Sequence, residues 1–178
     1  MSASLGLSRK AVRLVPYDER WPPLFEVEVD VLRKNLGAEI LDVAHIGSTA
    51  IPGLDAKPVL DLMLALPSLR APASLFTTLC ELGYEHRPRD TVADRLFFAK
   101  GPAECRTHNL SACERGSRFW RVHIQFRDRL RADPSAARAY VELKRELVRR
   151  FPFDRLAYTN GKEAFVERII ADVESSEA

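Results

Sequence analysis

Between His45 and Leu66 the chain reads HIGSTAIPGLDAKPVLDLMLAL. A Gly-Ser turn, a Pro-Gly turn and a Lys-Pro step lead into an apolar run that carries one carboxylate, Asp61. These residue types in this order suit phosphate chemistry. Gly47 has no Cβ, so the backbone there can approach phosphate oxygens closely. Ser48 and Thr49 offer hydroxyl and N–H donors, and a following helical turn would add the field of its N-terminus. Lys57 can meet a phosphate as a point charge. A strand aspartate can hold a divalent cation, because Mg²⁺ takes oxygen ligands and commonly uses one or two carboxylates plus substrate phosphates. The same residues also suit a plain loop followed by a structural acid, and local spacing leaves both readings open.

Other side chains extend the set. His45 stands at the strand end before the turn, as a metal or phosphate ligand or as a satisfied structural histidine. In ECRTHNL, Arg106 can clamp a phosphate with two parallel hydrogen bonds, and His108 is placed on a strand facing a cleft. His123 and Arg127 are four apart on one helix face, with Asp128 next in line. That face can touch a nucleotide or form an ion-paired surface. Cys105, His108 and Cys113 match no closed zinc spacing. Three cysteines without a CxxC pair read as reduced thiols in a cytoplasm.

The elements that must position these groups can be read from periodicity and turn signals. Val12–Val15 reads as a short strand. A helix opens at Pro22-Pro23, where a missing N–H costs nothing, and stops at Gly37. Ile40–Gly47 reads as a strand and Val59–Leu66 as a fully buried one, from its near-continuous Val/Leu/Met content. A helix over Pro72–Leu82 and strands at Tyr84–Pro88, Arg95–Lys100 and Thr107–Ala112 follow. Beyond Ser117 the period is helical: Arg118–Arg131, Ser135–Arg150 behind an Asp133-Pro134 cap, and a last helix from Asp154 or Thr159 to about Glu174. The expectation is one domain of class α+β. A small mixed β-sheet flanked by helices occupies 10–113, and a three-helix segment over 114–174 packs on it.

Composition sets the outer bounds. With 178 residues, 46% hydrophobic and 29% charged, the chain can bury a core. A formal net charge of +2 argues against nucleic acid as the partner. Glu146 interrupts the basic run LKRELVRRF, which reads as a solvated helix face. No apolar run reaches the roughly 18 residues of a membrane span, and MSASLGLSRK lacks a signal-peptide core, so the expected location is the cytoplasm.

Six stretches in order carry a resemblance: VPYDERWPPLFEVE, HIGSTAIPGLDAKPVLDLM, RLFFAKG, RTHNL, HIQFRDRLR and YVELKRELVRRFPFDRLAYTNGKEAFV. Over about Val12–Ile170 the chain resembles the GrpB-like family of the polymerase-beta-like nucleotidyltransferase superfamily. The resemblance implies a nucleotidyltransferase-type sheet. It also implies a Mg²⁺-dependent (or Mn²⁺-dependent) enzyme that moves a nucleoside monophosphate from a nucleoside triphosphate to an acceptor the sequence does not name. Gly47 and Ser48 fall on the superfamily's Gly-Ser motif and Asp61 on its first metal carboxylate. The superfamily usually places a second acid two residues on, where this chain has Met63. Two-metal transfer needs carboxylates for both cations, so a further ligand must come from elsewhere. Asp94 is the first candidate, with Asp55, His108 and His123 behind it. Asn109 and Ser111 stand where the family usually carries histidines.

The site expected on these grounds has Asp61, His108 and Arg106 as catalytic groups. Gly47, Ser48, Thr49, Lys57, Arg127, Tyr158 and Lys162 hold the nucleotide, and Asp61 and Asp94 hold the metal. Tyr158 and Lys162 share a helix face and would reach back from the tail to a base and a phosphate; Lys144 belongs to the same tail. The alternative from another class is a module that binds a nucleotide or CoA-like phosphate without turnover. A third reading is a metal-dependent phosphohydrolase.

Overall fold

A computed structural model describes residues 5–8, 11–70, 72–90 and 94–176. Helix α1 (Trp21–Leu36) carries prolines in its first turn and Arg33 and Lys34 in its last, where cations complement the helix dipole. Its buried stripe of Trp21, Phe25, Val29, Leu32 and Leu36 lies on one face of the sheet.

The sheet is built from β1 (Asp42–Ile46), β2 (Leu60–Leu66), β3 (Tyr84–His86), β4 (Leu96–Lys100) and β5 (His108–Glu114), in the order β1-β2-β5-β4-β3. β2 runs parallel to β5 and antiparallel to β1, while β4 is antiparallel to both β3 and β5. Helix α2 (Ala73–Glu81) connects β2 to β3. The interior position of β2, between β1 and β5, explains its apolar sequence: both of its faces are covered. Leu60, Leu62, Leu64 and Leu66 join the α1 core. Met63 lies on the opposite face with Ala44, Ile46 and Cys113, under Phe119, Trp120 and Ile124. Strand alternation therefore assigns Asp61 to the Met63 face.

Helix α3 (Arg118–Ala132) supplies that cover, capped by Ser117, whose hydroxyl accepts from the Trp120 N–H. Helix α4 (Pro134–Arg150) starts on the Asp133 cap, whose carboxylate accepts from the Ser135 and Ala136 N–H groups. Helices α5 (Arg155–Asn160) and α6 (Glu163–Ser176) follow. Phe126, Leu130, Tyr140, Phe165 and Ile169 close over Ile51 and Leu54 of the β1–β2 connection. The helical half is thereby packed onto the segment singled out by its chemistry.

Two expectations are corrected. Val12–Val15 forms no strand; its sheet-like contact is a single bridge from Val15 to Ala56. The helical tail has four helices, because Gly161 separates α5 from α6. A Cβ at Gly161 would overlap Leu147 of α4, so the turn between the two helices needs glycine to sit that close. The helical period of the sequence continues through the break and hides it.

Candidate functional site

At the end of β1, Gly47 adopts φ 70°, and Ser48–Ala50 winds into one 3₁₀ turn. A Cβ on Gly47 would overlap Oδ2 of Asp61, so turn and carboxylate are in direct contact. The other Asp61 oxygen, Oδ1, accepts from the Asn109 side-chain amide at 2.8 Å. Asn109 is the register partner of Asp61 on β5. Helix α3 ties down the carbonyls of the turn: Arg127 donates to His45 O at 3.0 Å, and Arg131 donates to Ala50 O at 2.9 and 2.7 Å. Gly47→Ala should therefore destabilise the fold by about 2 kcal/mol through positive φ and overlap with Asp61. A lower urea midpoint with an unchanged m-value would show it, and an unchanged midpoint would mean that the turn is loose.

Three lysines gather beside this turn. Lys144 of α4 is 1% exposed. Its Nζ donates to Ser48 Oγ at 3.1 Å and also to the Asp55 carbonyl. It lies 4.9 Å from the centre of the Tyr140 ring, whose hydroxyl is hydrogen-bonded with Ser48. Lys57 and Lys162 stand over the Tyr158 ring at 5.4 and 4.9 Å. Among the described residues, none of these three ammonium groups has a carboxylate in ion-pair contact. Asp55, the acid nearest to Lys144 in the chain fold, spends its carboxylate on Arg145 at 2.7 Å.

The electrostatics follow from that crowding. Burial, then Lys162 and Arg155, push the Lys57 pKa down to about 7, with Asp61 opposing. Burial and Lys162 likewise push Lys144 down to about 7. Lys162 is lowered by burial, with Asp61 opposing and Arg155 reinforcing. Tyr158 is raised, chiefly by burial. Among the described residues, Asp61 is the acid that raises Lys57 and Lys162, set against several cations. Such a site attracts an anion.

The expected site residues divide. Gly47, Ser48, Thr49, Lys57, Asp61, Tyr158 and Lys162 come together. Arg127 lies nearby but is engaged with the His45 carbonyl and with Asp128 at 2.7 Å. Arg106 is 5% exposed and shares a small cavity with Lys57 and Arg155, at the edge of the cluster. His108 is not brought to Asp61. It pairs in register with Lys100 and Leu60 and faces α1, where its Nε2 is 4.0 Å from Glu28. One residue of strand register separates it from Asn109, and that step reverses the face.

Asp94 is exposed in the turn before β4. Its neighbour Arg95 is the residue that reaches inward, donating to Ser111 Oγ at 3.0 Å. His123 is held by the Phe119 carbonyl at 2.8 Å. His45 is structural in this arrangement: its Nε2 bonds with Thr49 Oγ1 at 3.0 Å and its ring stacks on Phe25. Burial, helped by Arg131 and Arg127, lowers its pKa to about 3, so it stays neutral.

Lys144 and Tyr140 are not among the nucleotide-binding residues expected from the sequence. A signal for both exists, because YVELK and YTNGK each place a lysine four residues after a tyrosine. In each pair the lysine lies over the tyrosine ring.

The metal expectation meets a poor donor set. Among the described residues no three His, Cys, Asp or Glu side chains group together to hold an ion. The position two after Asp61 is Met63, fully buried among apolar groups. Asp61 therefore stands as a single carboxylate, half of it engaged with Asn109.

Comparison with known proteins places this architecture. The sequence model described as GrpB protein matches residues 11–172. The chain belongs to the GrpB family. It is 35% identical to the glutamate-rich protein GrpB of Alkalihalophilus pseudofirmus over 173 residues, covering 95% of this chain and 99% of that one. It is 39% identical over 164 residues to a UPF0157 protein of Pseudomonas aeruginosa, covering 89% of this chain and 66% of that relative's length. A similar region, 32% identical over 182 residues, forms 44% of a protein of Mycolicibacterium paratuberculosis named dephospho-CoA kinase, and covers 88% of this chain. The crystal structure of the conserved protein GrpB from Enterococcus faecalis superposes with a TM-score of 0.83 at 29% identity, covering 93% of this chain and 99% of that one. The α+β fold with its mixed five-stranded sheet is thus that of a solved GrpB protein. Among the described residues of this GrpB-family chain, no helix is long and apolar enough to cross a membrane.

Proposed function

We propose that this GrpB-family protein binds the phosphate chain of a nucleoside triphosphate or a related nucleotide between the Gly47–Ala50 turn and Lys57, Lys144 and Lys162. One observation carries the reading: three lysines, one of them fully buried, converge on Ser48 and Asp61 without carboxylate partners among the described residues. Lysine is almost never fully buried unless paired. An unpaired buried charge costs free energy that a phosphate chain would return. Tyr140 and Tyr158 hold the ammonium groups against their ring faces and keep them aimed at one space. The name dephospho-CoA kinase on a relative with a similar region fits a nucleotide-type ligand bearing phosphate.

Transfer of a nucleoside monophosphate to an acceptor would go one step further. In-line attack on the α-phosphorus depends on positioning and charge neutralisation, and the lysines supply neutralisation. The second acid that two-metal transfer uses has no counterpart at Met63. Binding is therefore the function the geometry supports best. A cytoplasmic setting fits Cys80, Cys105 and Cys113, which are all free.

The test is isothermal titration calorimetry with each of the four ribonucleoside triphosphates near pH 6.5. At least one should bind with a micromolar Kd, and absence of heat and of any thermal shift with all four would refute the reading. The affinity should also depend on pH in a defined direction. Lys57 and Lys144 titrate near 7 in the free protein. A bound phosphate chain raises them towards the ordinary lysine value of about 10.4. Affinity is then greatest below pH 7 and falls between about 7 and 10, by up to about tenfold per pH unit for each lysine that must take up a proton.

A further inference from the structure

The charges around Asp61 bear on the chemical form of the ligand, given that the site takes a phosphate chain at all. The register partners of Asp61 are Ile46 on β1 and Asn109 on β5, the next pair on that face is Met63 and Ser111, and none of the four is an acid. Asn109 directs an N–H at Asp61 Oδ1, occupying one of the lone pairs that a cation could use. Ser111 Oγ is taken by the Arg95 guanidinium. Lys57, Lys162 and Arg95 all feel the Asp61 charge, and Arg155 adds a further cation next to Lys57 and Lys162. Glu28, a buried acid on α1, lies on the opposite face and is taken by Lys100 at 2.7 Å.

A divalent cation meets two obstacles here. It would be repelled by at least three cations while attracted by one carboxylate. It would also compete with the ammonium groups for the same phosphate oxygens. A cation already bound to the phosphate chain cancels two of the charges that draw the chain into the site. In a site with two or three clustered acids the balance is the opposite, because there the metal neutralises acids that would otherwise repel phosphate.

We infer that the ligand enters as its metal-free polyphosphate anion, and that Lys57, Lys144 and Lys162 take the place of the cations that a multi-carboxylate site would recruit. Asp61 then acts as the counter-charge that keeps the lysines together in the empty protein. It does not serve as a metal ligand.

The experiment is a titration of the full chain with sodium tripolyphosphate and, separately, with ATP, each in EDTA and again with Mg²⁺ in large excess over the ligand. Both ligands should bind in EDTA, and excess Mg²⁺ should weaken both by at least about tenfold. Binding that appears only with Mg²⁺, grows stronger with it or stays unchanged would overturn the inference while leaving a phosphate site in place. No binding in any of the four conditions would instead refute the phosphate reading on which it rests. A second measurement uses Asp61→Asn, with its folding checked by circular dichroism. Loss of the single negative charge should tighten tripolyphosphate binding in EDTA about fivefold, whereas a metal ligand or an acid that grips the turn for phosphate would give weaker binding.

Discussion

Lys162→Met lowers nucleotide affinity about a hundredfold and raises the melting temperature of the empty protein by a few degrees. The binding loss follows from the position of the ammonium group. It stands 4.9 Å from the centre of the Tyr158 ring, with no carboxylate in ion-pair contact among the described residues. A charge-assisted hydrogen bond to phosphate in such a place contributes up to about 3 kcal/mol, or roughly two powers of ten. The stability gain has the opposite origin. Burial and Arg155 hold the Lys162 pKa below its ordinary value, so the folded state disfavours a proton that the unfolded chain keeps.

That penalty is present at neutral pH and fades as pH rises towards the ordinary lysine pKa, where the unfolded chain also loses its proton. Methionine has similar length and no charge, so the folded state gains about 0.5–1 kcal/mol, worth 2–4 °C in a chain of this size. The stability difference from wild type should be largest near pH 7 and shrink towards pH 10. The two readouts together separate function from structure. A variant that binds as wild type does would remove Lys162 from the site. One that loses both binding and stability would make Lys162 a structural residue.

How much of this was legible beforehand depended on the length scale of each signal. The β1–β2 connection and its Asp61 were legible because glycine, proline and a lone acid are conspicuous in an apolar run. The buried interior strand showed in the Val/Leu/Met content of β2, which cover on both faces explains. His108 was misplaced because its face depends on a pairing of β5 with β2, almost fifty residues away, and one step of register reverses it. Asp94 was a candidate by its nearness to RLFFAKG, but it is exposed, and Arg95, the residue just before β4, reaches Ser111 instead. Lys144 looked like one more charge in the basic run LKRELVRRF. Its burial comes from the packing of α4 against the turn, which no local period reports. The repeated Tyr-x-x-x-Lys spacing was visible in the sequence, yet it gains meaning only when both tyrosines face the same space.

Glu28→Gln should cost about 2–3 kcal/mol of stability and leave phosphate binding unchanged, and here the misplaced histidine becomes informative. Glu28 is 7% exposed on α1. It accepts from the Tyr84 hydroxyl at 2.8 Å and from Lys100 at 2.7 and 3.0 Å. His108 stands 4.0 Å away and bonds with Thr107 Oγ1 at 2.9 Å. Burial lowers the His108 pKa, Glu28 opposes this and Lys100 reinforces it. The group therefore joins α1 to β3, β4 and β5 by one shared carboxylate. Breaking a buried pair by removing one partner costs about 3–5 kcal/mol, and the partial exposure of Lys100 lets water recover part of that. Replacing the whole pair, Glu28→Gln with Lys100→Met, should restore about half of the loss, because no unpaired charge then remains. Urea unfolding of the two single variants and the double variant measures the coupling. A double variant no more stable than the sum of the singles predicts would mean that Lys100 is solvated independently of Glu28. If His108 acted on a bound phosphate, these changes beside it would also shift nucleotide affinity. Unchanged affinity alongside a large stability loss places the histidine where the strand register puts it, on the far side of the sheet from Asp61 and in the service of the fold.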